Sequence, residues 1–408
     1  MLRNCVLLLL LVISTAAHAG FDSAKYKLEV TPELRLFPDS PAYSGQTDNC
    51  SLSISALGKV DMEWNDGLTK LAIYPFARLD SEDSERTHAD LREFNLRQRT
   101  GDFDWLIGVG KVFWGTTESL HLVDIINQTD AVESIDGEDK LGQPMLSLAW
   151  AIPVGVLSGF ILPYFRERTL PGENGRFRAM IPYDTDSAIY ESSHKQHHID
   201  SALRWQYSGG GIDIGLSQFL GTAREPRFIF NQDQTKLLPV YDLIRQTGLD
   251  FNFVSGSWIL KLEALYQSNR IENFKAAVGG FEYTIPTASF DAPEIGLLAE
   301  YCWDNRGSDS LSIYQNDLFL GLRIGLNDIA GSEMLAGITQ DMQHSSRYIS
   351  IDASRRIENI GRIALKLRVF NDISTNDPLY TYKRDSYLQI EFTFYFSGEI
   401  SKEKDHGR

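Results

Sequence analysis

The sequence predicts an all-β protein, a transmembrane antiparallel up-and-down β-barrel of about 18 strands (range 16–18), on three observations. Segments of about ten residues alternate apolar and polar side chains with a period of two, and helical periodicity is scarce. Short Gly/Asn/Asp-rich turns alternate with long connections, as they do when one end of a barrel faces the periplasm and the other the exterior. The N-terminus reads as an export signal. Arg3 supplies a positive charge, Leu7 to Val12 an apolar core, and Ala17-His18-Ala19 a cleavage site, so residues 1–19 are expected to be removed. That apolar run is shorter than the roughly 20 residues a spanning helix needs.

Taken in order, 26–37 sets Tyr26, Leu28, Val30, Leu34 and Leu36 against Lys27, Glu29, Thr31, Glu33 and Arg35. In 51–64, Leu52, Ile54, Ala56, Val60, Met62 and Trp64 oppose Ser51, Ser53, Ser55, Lys59, Asp61 and Glu63. Segment 68–78 is apolar on both faces, which suits a wall covered by a folded-in loop, and 88–98 mixes charged and apolar residues on both faces. Further strands follow, down to 361–370 and a last one over 387–396. Strand starts, paired as hairpins, fall near 25/51, 68/88, 103/144, 156/197, 211/240, 257/278, 292/315, 333/347 and 361/385. Tyr26, Trp64, Trp105, Tyr207, Phe253, Trp258 and Phe396 gather at the periplasmic ends as an aromatic girdle. The barrel therefore spans 20–396, and 397–408 is expected to be a polar periplasmic tail.

A formal charge of −16 argues against nucleic acid as a partner. Cys5 leaves with the signal, and an oxidising compartment permits a disulfide between Cys50 and Cys302. No cofactor and no metal is expected. The run H-x-x-H-H-x-D from His194 to Asp200 sits where alternate residues diverge, which disfavours zinc. Asp136-Gly137-Glu138-Asp139 lacks the spaced carboxylates of a calcium loop. The close pairs His88/Asp90 and His121/Asp124 come without a nucleophile motif, so no enzyme is expected.

The informative segment is 114–143, carrying Glu118, Asp124, Asp130, Glu133, Asp136, Glu138 and Asp139 against Lys140. By analogy with general porins, whose loop in that place folds into the lumen and narrows it, it is a candidate constriction loop. Folded into the lumen, it must bury apolar surface, which Leu120, Leu122, Val123, Ile125, Ile126 and Ile135 can supply, with LHLVDII as a short helix. Lys261, Arg323, Arg362, Lys366 and Arg368 form an expected basic wall opposite. Arg166, Arg168, Arg176, Arg178, Arg224 and Arg227 add basic charge from the outer loops. Acid facing base sets up a transverse field that favours polar solutes over apolar ones of equal size. The other reading of these carboxylates is a solvated outer surface bridged to lipopolysaccharide by divalent cations.

The closing run YLQIEFTFYF resembles the C-terminal signal of Gram-negative outer-membrane proteins, although twelve residues follow Phe396. That resemblance implies the barrel-assembly machinery as a partner during insertion. The segment VGKVFWGTTESLHLVDIINQTD, with Trp114-Gly115, Asp124, Asn127 and Asp130, is similar to a poorly characterised porin-like family with a W-G-x…D-x-x-N-x-x-D stretch. The resemblance implies an outer-membrane channel for small polar or charged solutes, embedded in outer-membrane lipid and lipopolysaccharide. The alternatives are a gated export barrel for an anionic polymer and an interaction protein without an open pore.

Overall fold

The computed structural model describes residues 21–401 apart from 288, 290, 291, 308, 309 and 311. The expected signal segment and cleavage site, and residues 402–408 of the expected tail, lie outside the described residues.

The chain opens with β1 (Ser23–Leu36), β2 (Cys50–Trp64), β3 (Thr69–Asp80), β4 (Ala89–Thr100), β5 (Phe103–Gly110), β6 (Gln143–Ile152) and β7 (Gly155–Leu162). A short β8 (Ile189–Tyr190) precedes β9 (Asp200–Gly209) and β10 (Ile212–Thr222). Next come the short β11 (Arg227–Phe230) and β12 (Leu237–Tyr241), then β13 (Leu243–Ser255), β14 (Trp258–Ser268) and β15 (Asn273–Thr284). The last six are β16 (Glu294–Asp304), β17 (Asn316–Gly325), β18 (Glu333–Asp341), β19 (Arg347–Ile357), β20 (Gly361–Asn371) and β21 (Tyr387–Ser401). β8, β11 and β12 form a separate three-stranded sheet within the outer loops; the other 18 strands form one sheet. Each pairs antiparallel with the next, and β21 pairs with β1, which closes the barrel. Closure leaves no ladder edge to face lipid, where an unpaired N–H or C=O has no partner.

The tight turns have the backbone their residues allow. Gly210 and Gly211 both have positive φ in the two-residue β9–β10 link, the geometry whose twist matches the flanking strands. Two connections break the short/long alternation: 285–293 is longer than 269–272, and 326–332 is longer than 342–346, on the opposite rim.

Two expectations need correction. Residues 397–401 are not tail but the end of β21, pairing Ser23 with Ser401 and Tyr26 with Gly398. Had β21 stopped at Phe396, Ser23 to Lys27 would lack ladder partners along the closing seam. Gly398 allows the close approach of the Tyr26 ring, whose hydroxyl a Cβ there would meet at 2.2 Å. Secondly, Cys50 and Cys302 are both free. They lie on β2 and β16, which are not neighbours in the ring, whereas a disulfide needs Cα atoms within about 7 Å.

The mixed pattern of 88–98 has a local cause. The β3–β4 register shifts between Tyr74 and Pro75, so that Tyr74 faces Glu93 while Pro75 faces Leu91. Arg92 is the extra residue of a bulge opposite a proline, which has no N–H for the ladder. Parity flips there: Leu91 below the bulge number and Phe94 and Leu96 above it all face outward, while Asn95 is buried inside. Outward apolar side chains stay exposed around the whole barrel, including Leu52, Ile107, Leu216, Leu260 and Leu320. Trp105, Trp258 and Phe396 of the expected girdle are among them, and Tyr266, Tyr301 and Trp303 mark the opposite rim.

Candidate functional site

The loop 111–142 between β5 and β6 folds into the lumen and is fastened around its circumference. Val123, Ile125 and Ile126 pack with Trp114 on Met145, Phe160, Leu162, Phe219 and Ile244 of the wall. Leu122 packs against Leu265, Phe274 and Ala276, and Ile135 against Tyr348, Phe370 and Leu379. Five of the six apolar residues expected to seat the loop do so; Leu120 instead lines the outer vestibule. Burying side chains of this size contributes roughly 1.5–3 kcal/mol each. The LHLVDII run is irregular, not helical, and the Val123 N–H within it is drawn to the wall carboxylate of Glu263.

The motif residues fold the loop itself. Asn127 joins its two ends: the side-chain oxygen accepts from Val112 N at 2.8 Å, and the amide donates to Gly110 O and Leu141 O at 2.9 Å. Asp124 accepts from Trp114 N and pairs with Lys140 at 3.2 Å. Asp130 receives Arg92 at 2.6 Å, His88 at 3.2 Å and Thr169 at 2.7 Å. Burial pushes the Asp130 carboxyl up, but the His88 hydrogen bond and the Arg92 charge outweigh it and hold the group at about 2.

Two types of contact hold the loop to the barrel. On the β1–β4 side, arginines grip it: Arg78 pairs with Glu133 at 2.7 Å, Arg35 donates to Glu133 O, and Arg86 donates to Val132 O. On the β14–β16 side, carboxylates grip its amides. Glu263 accepts from Thr116 N at 2.7 Å, Thr117 N at 3.0 Å, Thr117 Oγ1 at 2.7 Å and Val123 N at 3.2 Å. Glu300 accepts from Glu118 N, Ser119 N and Ser119 Oγ, the last at 2.6 Å. His121 lies between Glu138 at 3.1 Å and Glu263 at 3.8 Å. Burial opposes its charge, yet the two carboxylates raise its pKa to about 10.

The expected acid-against-base field is largely consumed in pairs. Glu118 meets Arg323 at 2.6 Å and Asp136 meets Arg368 at 3.4 Å. Lys261 pairs with Glu282, Arg362 with Glu333, and Lys366 with Glu391, so the wall is of mixed sign. The outer-loop arginines mostly fasten loops. Arg166 pairs with Asp90, Arg176 with Asp385, Arg224 with Asp200 and Arg227 with Asp242. Arg178 caps the carbonyls of Ser44, Glu173, Ala179 and Met180. Arg168 alone of the six has no side-chain hydrogen bond or ion pair among the described residues, and it lines the outer vestibule.

Neither of the two His/Asp pairs that lie close in sequence forms, since His88 turns to Asp130 and His121 to Glu138. His88, Asp130 and Glu133 do converge, but Arg92 and Arg78 occupy the carboxylate oxygens a metal would need. His198 bonds Asp200 while His197 packs on Tyr164, so the histidine run does not converge either. Asp139 lies in the loop near Glu133 and Asp136, and burial together with those charges pushes its carboxyl up to about 6.

Space remains on both sides of the loop. A vestibule of about 750 Å³ is lined by Leu120, His121, Asp136, Arg168, Tyr183 and Tyr382, among others. A second, of about 450 Å³, is lined from β15 to β21 by Glu282, Arg323, Asp352, Arg362, Lys366 and Glu391, among others.

No family model matches the chain, and no curated protein matches it. Solved structures do. The BenF-like porin from Pseudomonas fluorescens aligns over 93% of this chain and 100% of its own, with a TM-score of 0.55 and 9% identity. Pseudomonas aeruginosa OccK2 (OpdF) aligns over 94% and 100%, with a TM-score of 0.57 and 10% identity. Pseudomonas aeruginosa OpdK, solved with vanillate, aligns over 93% and 100%, with a TM-score of 0.53 and 9% identity. At such identities the likeness is one of fold.

Proposed function

We propose that this chain is an outer-membrane channel for passive passage of small polar or charged solutes. The observation that carries the reading is a closed 18-strand barrel whose inward loop separates two charged vestibules. Eighteen strands leave an aqueous lumen unless something fills it, and here one loop fills only part. Charges of both signs on the wall orient dipolar water and penalise apolar solutes. Outer-membrane lipid, lipopolysaccharide and the barrel-assembly machinery are the partners this role requires. The polymer-export reading is disfavoured because the wall cations Lys261, Arg362 and Lys366 already face carboxylates, leaving no continuous basic track. Fold neighbours described as porins support the same choice, and vanillate makes small aromatic acids a sensible first class of test solute. Purified protein in planar bilayers should give discrete conductance steps, and loaded liposomes should swell in small polar solutes. Heat-modifiable, folded barrel that gives neither would end the channel reading.

The loop also makes conduction sensitive to pH. Because its pKa is raised to about 6, Asp139 is charged at pH 7 and takes up a proton as the pH falls through 6. Cation preference should therefore drop between pH 7 and pH 5, and D139N should show the low-pH selectivity throughout. Reversal potentials in a salt gradient measure both; a D139N channel with the parent's pH profile would assign the titration elsewhere.

A further inference from the structure

We propose that Glu263 and Glu300 form an anionic clasp that sets the width of the passage by holding loop residues 116–123 through their backbone amides. The inference rests on the channel reading for its consequence, but not for its geometry. Both carboxylates are on the wall and almost fully buried, at 0% and 1% exposure. Several other buried acids have arginines that do not belong to the inward loop: Glu33 has Arg78 and Arg86, Asp250 has Arg204, and Asp200 has Arg224. Glu263 and Glu300 differ. Among the described residues Glu300 has no ion pair, and the one cationic neighbour of Glu263 is His121 of the loop itself. Their hydrogen bonds go to five loop amides and two loop hydroxyls.

The dependence is mutual. Without the loop these carboxylates lose their partners, and without the carboxylates the amides of Thr116 to Ser119 lose theirs, each orphan being costly when buried. Successive N–H groups converging on one oxygen make an anion-binding concavity, here filled by the wall. Gly115 permits it: with φ +148°, a Cβ would lie 3.0 Å from both Glu263 Oε1 and His121 Nδ1. The clasped segment lies where the vestibules meet. Glu118 reaches Arg323 of the inner one, while Leu120 to Leu122 line the outer. Moving this segment therefore changes the aperture directly.

A native reporter sits beneath it. Cys302 is fully buried, with Sγ 3.5 Å from Ser119 Oγ. In a C50S background, a small maleimide should leave Cys302 unlabelled in the parent, as read by peptide mass. E263A/E300A should label it at least about ten-fold faster, because local opening exposes the thiol, and should conduct several-fold better. Adding S119C and oxidising should bond the loop back to Cys302, restoring low conductance until reductant is added. A folded E263A/E300A barrel with unchanged labelling overturns the clasp. Faster labelling and raised conductance that the crosslink fails to reverse also overturns it, since lost charge would then be the cause. Faster labelling in a barrel that conducts in neither form leaves the clasp standing and removes the channel reading instead.

Discussion

Deleting residues 113–140 and joining Val112 to Leu141 through a short Gly/Ser link should raise single-channel conductance several-fold and flatten its ion preference. The deletion is geometrically modest, because Gly110 and Gln143 already face one another across the β5–β6 ladder. What it removes is the partition between the two vestibules, along with all seven loop carboxylates. The barrel should still close, since each strand's ladder partners lie on its neighbours and not on the loop. It should be less stable, however. Met145, Phe160, Phe219 and Ile244 would face water, and Arg78, Arg92, Glu263 and Glu300 would exchange protein partners for solvent. In an opened, wet lumen that exchange is far cheaper than in a dry one. Planar-bilayer recording decides the matter. Unchanged conductance in a folded deletion would mean that the loop does not narrow the path.

The barrel was legible because its signals are local. Period-two alternation and the short/long rhythm of turns depend on neighbouring residues, so all 18 strands are legible, with expected starts within five positions of the observed ones. Where local reading failed, a distant residue was responsible. The confused faces of 88–98 come from a bulge imposed by Pro75 on the facing strand. The end of β21 is set by where β1 begins, at the other end of the chain. The loop's acidity is plain in the sequence, and the apolar residues within it suit an inward fold without deciding it against a solvated outer surface. The loop's partners are not plain there, since Glu263 and Glu300 meet Thr117 and Ser119 only after the ring closes. Arg35 and Glu33 were readable as polar-face residues of the first strand. That they would join Arg78, Arg86 and Glu133 inside the barrel was not. The basic inward positions evident in the sequence lie mainly on the late strands, whereas most arginines that grip the loop come from the early ones.

Glu33→Ala should be among the most destabilising single changes in the barrel. Its carboxylate, 4% exposed, is shared by Arg35 at 2.9 Å, Arg78 at 3.0 Å and Arg86 at 2.8 Å. Glu133 and Asp80 pair with two of these guanidinium groups, so removing Glu33 leaves three buried cations facing two acids. Breaking a buried ionic cluster from one side costs about 3–5 kcal/mol, chiefly because uncompensated charge stays buried. The damage should spread to the loop, because Arg78 and Arg86 also hold Glu133 and Val132 O. Removing one surplus cation should then help: E33A/R86A is expected to be more stable than the sum of the two single changes predicts, a coupling visible in a double-mutant cycle. Urea midpoints in detergent micelles, checked against heat-modifiable migration, give the comparison. An E33A barrel within about 1 kcal/mol of the parent would mean that water reaches these arginines, as it does in exposed pairs of small net worth.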